Sequence, residues 1–185
     1  IKDIADLKGK TVAFEVSSAS HFFLSYLLDK NGLTTNDLTV INTPSPDAGA
    51  AFVAGRVDAA VTWEPWLSKA GEREGGLLLA TSKETPILPT MLAFNEEVAK
   101  NRPKDIQAVL RALFATRKWI LGNQDETTAI IARAFSITEQ EVAEQLSTFR
   151  WLSYEDNVRG FIEGEYSAQN LIQTAGDLWL KLGLI

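Results

Sequence analysis

The stretch Val57-Asp58-Ala59-Ala60-Val61-Thr62-Trp63-Glu64-Pro65-Trp66 decides how the rest of the chain is read. An apolar run stops abruptly at two indoles, a carboxylate and a proline. Residues 57–61 fit a buried strand, because strands covered on both faces read as near-continuous apolar runs. Pro65 cannot continue a strand but suits the first turn of a helix, where its missing N–H is not needed. Thr62, Trp63 and Glu64 therefore fall at the carboxyl end of a strand, the edge at which open α/β sheets hold their ligands. Trp63 and Trp66 fit a ligand wall there. As large, mostly buried side chains they fit a core equally well.

Working outward, residues 11–16 read as a strand that passes through Ser17-Ser18-Ala19-Ser20 into a helix over 21–30, ended by Asn31-Gly32. A second strand is expected at 38–42. Pro46 and Asp47 open a helix that Gly55 closes. Beyond the central stretch come a helix over 65–73 and a strand at 77–81. Strands alternating with helices imply βαβ units, hence an α/β fold with a mainly parallel sheet. After Pro86 the pattern changes. Residues 86–89 read as a crossing segment and 90–94 as one more strand. The remainder is helical: 95–100, 103–121 with Pro103 in the first turn, 125–135, a helix opened by the capping box Thr138-Glu139-Gln140-Glu141, then 155–163 and 166–182. The expected division is an α/β lobe at 1–88 and, at 89–185, a return strand with helices. One strand cannot make a sheet, so those helices are expected to pack on a lobe whose strands lie outside this sequence.

Composition narrows the function. The chain has 185 residues, 45% of them hydrophobic, enough for one good core or two small ones. Its net charge is −6 and it has no run of Lys or Arg, so nucleic-acid binding has no electrostatic footprint. Acidity does not bar a small anionic ligand, since local dipoles make such sites. There is no cysteine and His21 is the sole histidine, which argues against a zinc site. No phosphate loop, dinucleotide fingerprint or Gly-x-Ser-x-Gly elbow is present, so no cofactor and no catalytic triad are expected. The chain starts at Ile1 without methionine or a signal-like segment. A mature or shortened chain is the expectation.

The candidate ligand residues are Ser17, Ser18, Ser20, His21, Thr62, Trp63, Glu64 and Trp66. A helix starting near Ser18 offers free backbone N–H groups and a positive dipole end, a ready anion site. N-capping by Ser18 accounts for one serine well and for three poorly. His21 in that first turn is expected to be neutral, because a cation there is unfavourable. Glu64 is either a dipole partner worth about 0.3–1 kcal/mol or a receptor for a ligand amine or hydroxyl beside the indoles.

Four segments in this order then carry a resemblance: Ile4-Ala5-Asp6-Leu7-Lys8-Gly9-Lys10-Thr11-Val12, Ser18-Ala19-Ser20-His21-Phe22, Ala51-Phe52-Val53-Ala54-Gly55-Arg56-Val57-Asp58-Ala59-Ala60-Val61, and Trp63-Glu64-Pro65-Trp66. Together they resemble the periplasmic substrate-binding proteins of ABC transporters for nitrate, sulfonates and taurine. The resemblance runs to the last residues, 178–185. It implies the type II periplasmic-binding fold, two α/β lobes joined by crossing strands with the ligand between them. Residues 8–85 would be the second lobe and 86–94 the return crossing. Ser18, Ser20 and His21 match the family's anion-facing helix start, and Thr62, Trp63 and Glu64 its cleft wall. Two departures stand out. At Val16-Ser17 the family commonly has a glycine before the serine, and its first lobe has no counterpart here.

The implied role is a non-enzymatic capture component that delivers a small anion or zwitterion to an ABC permease in the membrane. Its implied place is the periplasm, or a lipid anchor at the extracellular face. A homodimer of the shortened chain is a further expectation, because helices without their sheet leave apolar surface exposed. Two alternatives share the two-lobed plan. One is a thiamine-pyrimidine synthase, an enzyme that looks richer in histidine and cysteine; the other is a ligand-sensing domain of a regulator.

Overall fold

The computed structural model describes residues 1–160, 163, 164 and 167–185. They fall into two compact units, one of Ile1–Leu88 with Ala168–Ile185 and one of Pro89–Ser167. The first unit holds a parallel sheet of three strands, β1 (Thr11–Phe14), β2 (Thr39–Asn42) and β3 (Ala59–Ala60), in the order β2-β1-β3. Thr11 pairs with Thr39, and Val12 with both Val40 and Ala59.

The central strand builds two cores from the two-residue alternation of a strand. Val12 and Phe14 pack with Leu24 and Leu28 of α1 (Ala19–Lys30), together with Leu7 and Leu33. Ala13 points the other way and packs with Val57 and with Ala48 of α2 (Ser45–Val53). A small residue at 13 lets α2 lie close to the sheet. Helix α1 is apolar on more than one side, as a helix buried between layers must be. Its Phe22 and Phe23 pack against Ile87 and against Leu171 and Leu178 of α9 (Ala168–Lys181). Asn31-Gly32 ends α1 as expected. Gly32 takes a φ of +70°, and the N–H groups of Gly32 and Leu33 donate to the carbonyls of Asp29 and Leu28.

Two apolar runs do not become strands. Residues 77–81 follow the short helix α3 (Trp66–Glu72) without joining the sheet, and Leu77 and Leu78 are exposed. Residues 90–94 form no ladder either. A strand exists only where its N–H and C=O groups find a partner, and among the described residues the second unit has no strand to offer one. The expected strand at 57–61 is mostly present: beyond β3, Asp58 N–H donates to Thr11 O and Val61 N–H to Ala13 O.

The second unit is helical: α4 (Glu96–Asn101), α5 (Pro103–Gly122), α6 (Gln124–Phe135), α7 (Glu139–Ser147) and α8 (Tyr154–Gly160). Pro103 occupies the first turn of α5, and Thr138 with Glu141 forms the capping box of α7. Phe114 of α5 meets Tyr154 of α8 edge-on at 5.6 Å, while Arg117 donates from Nε to the carbonyl of Trp151. No residue of α5 is buried, although Val109, Leu110, Leu113 and Leu121 lie along it. The ends of the expected helices 155–163 and 166–182 touch residues 161, 162, 165 and 166, which lie outside the described residues.

Candidate functional site

Two helices start at the carboxyl edge of the sheet. After β1 the chain passes through Glu15 to Ser18 into α1, and after β2 it passes through Thr43 and Pro44 into α2. Cross-links hold these turns in place: Val16 N–H donates to Asn42 Oδ1 at 3.0 Å, and Thr43 N–H to Phe14 O at 3.1 Å. Ser18 is the N-cap of α1. Its Oγ accepts from Ser20 N–H at 3.1 Å and donates to Glu15 O at 2.6 Å. The first turn of α1 carries no acid, so no side chain of its own neutralises the dipole there. In α2 that position has Asp47.

The hydroxyls of Ser20 and Thr62 brace this edge from within. Ser20 Oγ lies 2.8 Å from Ser45 Oγ, both side chains being buried. Thr62 Oγ1 donates to Ser45 O at 2.8 Å. Ser45 thus joins the starts of α1 and α2 to Thr62, two residues beyond β3, tying together three segments far apart in sequence. Ser17 is exposed and takes a φ of +62°, the left-handed region. Its N–H donates to Nδ1 of His21 at 3.2 Å.

His21 lies inside the unit. Only 5% exposed, its ring stacks on Phe14 at 5.3 Å and tilts against Trp179 at 5.2 Å. Burial holds its pKa below the ordinary 6.5, because loss of water penalises the charged ring. With Nδ1 accepting, the proton of the neutral ring sits on Nε2. A pH dependence follows. Between the lowered folded value and about 6.5 the unfolded chain binds the more protons, so this contribution to stability is complete above about pH 6.5 and is lost as pH falls through the folded value. The urea midpoint should drop between pH 7.5 and 5.5 in the native protein, and His21→Asn should flatten that slope. An equal slope in both proteins contradicts the assignment.

The central stretch divides three ways. Trp63 is 49% exposed at the strand end and is open to a ligand. Glu64 is engaged locally: its carboxylate accepts from Ser68 N–H at 3.1 Å and from Ser68 Oγ at 2.8 Å, bracing the start of α3. Trp66 lies against Gly49 of α2, where an added Cβ would come within 2.5 Å of Trp66 Cβ and 2.8 Å of Thr62 Oγ1. Lys69 Nζ sits 4.8 Å from the centre of the Trp66 ring. Ser45, Asn42 and Gly49 are absent from the residues the sequence nominates. A serine ahead of Pro46-Asp47 and a glycine inside a helix were the signals available for two of them.

Residues 2–136 match the model of the NMT1-like family. The chain belongs to the NMT1-like family. Solved structures similar to this NMT1-like chain include the periplasmic aliphatic sulphonate binding protein SsuA from Escherichia coli, 26% identical with a TM-score of 0.70. That alignment covers 100% of this chain and 58% of the other. Another is the alkanesulfonate-binding protein SsuA from Xanthomonas axonopodis pv. citri bound to MOPS, 25% identical with a TM-score of 0.60, covering 92% of this chain and 62% of that one. A curated relative from Escherichia coli strain K12, by name an aliphatic sulfonates-binding protein, is 29% identical over 79% of this chain and 46% of its own length. The chain thus spans about half the length of that relative. Its α/β architecture with a small parallel sheet is that of the periplasmic-binding fold. Ser17 keeps a left-handed backbone of the kind glycine adopts freely.

Proposed function

We propose that this chain is the second lobe and C-terminal helical part of a solute-binding protein that captures a small sulfonate-like anion, or a zwitterion such as taurine, for an ABC permease. The observation that carries this reading is the convergence of two helix starts at the carboxyl edge of the parallel sheet. There the first turn of α1 has no acid of its own and Trp63 stands open one residue beyond Thr62. Helix N–H groups and dipole favour an anion, and an indole face covers its organic part. The sulfonate-binding names of the relatives support the same class. The role is capture and delivery in the periplasm, with no chemistry performed on the solute.

In this reading residues 1–88 with 168–185 form one wall of a cleft, and the helices of 89–167 belong to the facing lobe. The exposed apolar residues of α5 support such a covering role, and without that lobe they favour a dimer. The test is calorimetric titration with ethanesulfonate, taurine, nitrate and an aminopyrimidine, on this chain and on a protein carrying both lobes. Saturable binding of a sulfonate in the two-lobed protein supports the reading. Binding of the aminopyrimidine alone favours the synthase alternative. In the two-lobed protein Trp63→Ala should weaken sulfonate binding by about tenfold or more, the effect of losing an anchoring indole. Unchanged affinity removes Trp63 from the site.

A further inference from the structure

We propose that His21 is a positioning residue for the anion site: its Nδ1 accepts the Ser17 N–H and so holds Ser17 in the left-handed conformation that leads the chain into α1. The inference deepens the anion-binding reading and rests on it. Left-handed backbone is unfavourable for a residue with a Cβ, and it persists where surroundings over-determine it. Ser17 has a φ of +62° and is exposed, so no packing of its own side chain holds it there. Its N–H has a specific acceptor in His21 Nδ1, 3.2 Å away.

The acceptor is itself immobile. Phe14, the last residue of β1, stacks on the imidazole, and Trp179 of α9 closes on it at 5.2 Å. The order of constraint therefore runs outward: core aromatics fix the ring, and the ring fixes Ser17. Ser17 in turn delivers Ser18 in the extended conformation (φ −114°, ψ 179°) from which it caps α1. The first-turn N–H groups that face an anion inherit that arrangement. His21 touches no ligand in this scheme. It supplies the backbone shape that a glycine at position 17 adopts unaided.

Protonation removes the lone pair that accepts, so the constraint exists only with the neutral ring. The charged groups near it are Asp29 and Lys181, which share with His21 a cavity of about 240 Å³ and pair with each other. Phe14 and Trp179, packed against it from β1 and α9, are uncharged.

The experiment compares native protein, His21→Phe, Ser17→Gly and the double variant. The backbone coupling constant and amide shift of residue 17 are followed by NMR, with ethanesulfonate as the probe of affinity. Phenylalanine keeps the aromatic stack and deletes the acceptor. In His21→Phe the Ser17 coupling should leave its left-handed value and ethanesulfonate affinity should fall about 3- to 10-fold, the worth of one hydrogen bond. In the Ser17→Gly background the same His21→Phe change should cost less than about 2-fold. Equal losses in both backgrounds, or a Ser17 coupling unmoved by His21→Phe, overturn the proposal. If His21→Phe does not fold, native protein taken from pH 8 down through the titration of the His21 ring decides: the Ser17 amide and the ring should move with one midpoint, and a Ser17 amide that stays flat while the ring titrates overturns it. Affinity is read in the two-lobed protein; should that protein not bind ethanesulfonate, the anion reading fails while the coupling constants still report on the Ser17–His21 link.

Discussion

Phe14→Ala should lower the stability of the α/β unit by about 3–5 kcal/mol, the range for emptying a buried aromatic site. Phe14 is 1% exposed and sits with Val12, Leu24 and Leu28 in the core between β1 and α1. The same ring is the platform on which His21 stacks, so its loss also loosens the imidazole. For a domain whose whole stability is on the order of 5–15 kcal/mol, such a loss removes between about a fifth and all of it. Urea denaturation followed by far-ultraviolet circular dichroism measures it. A loss below about 1 kcal/mol would mean that β1 and α1 do not pack as described.

Gly49→Ala is the second large effect, and its sign runs against intrinsic preference. In a helix interior alanine is favoured over glycine by about 1 kcal/mol. At Gly49, however, the new methyl would meet Trp66 Cβ at 2.5 Å and Thr62 Oγ1 at 2.8 Å. Thr62 is tied to Ser45 and Trp66 opens α3, so relief requires α2 and α3 to move apart. Overpacking of this kind costs about 1–3 kcal/mol, which opposes and outweighs the propensity gain. The matched control is Gly176→Ala in α9, where an added Cβ meets nothing within 4 Å. That change should raise stability by about 0.5–1 kcal/mol. Opposite signs for one chemical substitution are the expected result; two stabilised variants would contradict the close approach of α2 and α3.

What could be read from the sequence was what neighbours in sequence determine. The strand expected at 11–16, present over 11–14, the Asn31-Gly32 stop, Pro103 and the Thr138–Glu141 capping box are all set within a few residues, and the structure has them. The runs at 77–81 and 90–94 carry the composition of strands, but pairing is a property of two segments, and neither has a partner among the described residues. The site shows the same divide. A neutral His21 is expected from its place in a helix start, but burial is what lowers its pKa, and the aromatic stack that buries it joins residues 14, 21 and 179 and is visible only in three dimensions. Glu64 turned out to serve the local role its position allowed, through Ser68 four residues on. Ser45 carries no local signal of its bracing role, because its partners, Ser20 and Thr62, are 25 and 17 residues away.

In the proposed function the start of α1 binds a sulfonate-like anion. The most direct measurement is a titration of the isotopically labelled two-lobed protein with ethanesulfonate, observing backbone amide resonances of this chain's residues. Saturable shifts concentrated at Ala19, Ser20 and His21, with the Trp63 indole N–H moving in step, are the predicted result. Shifts confined to other residues, or none at saturating ethanesulfonate while the protein is folded, would contradict it.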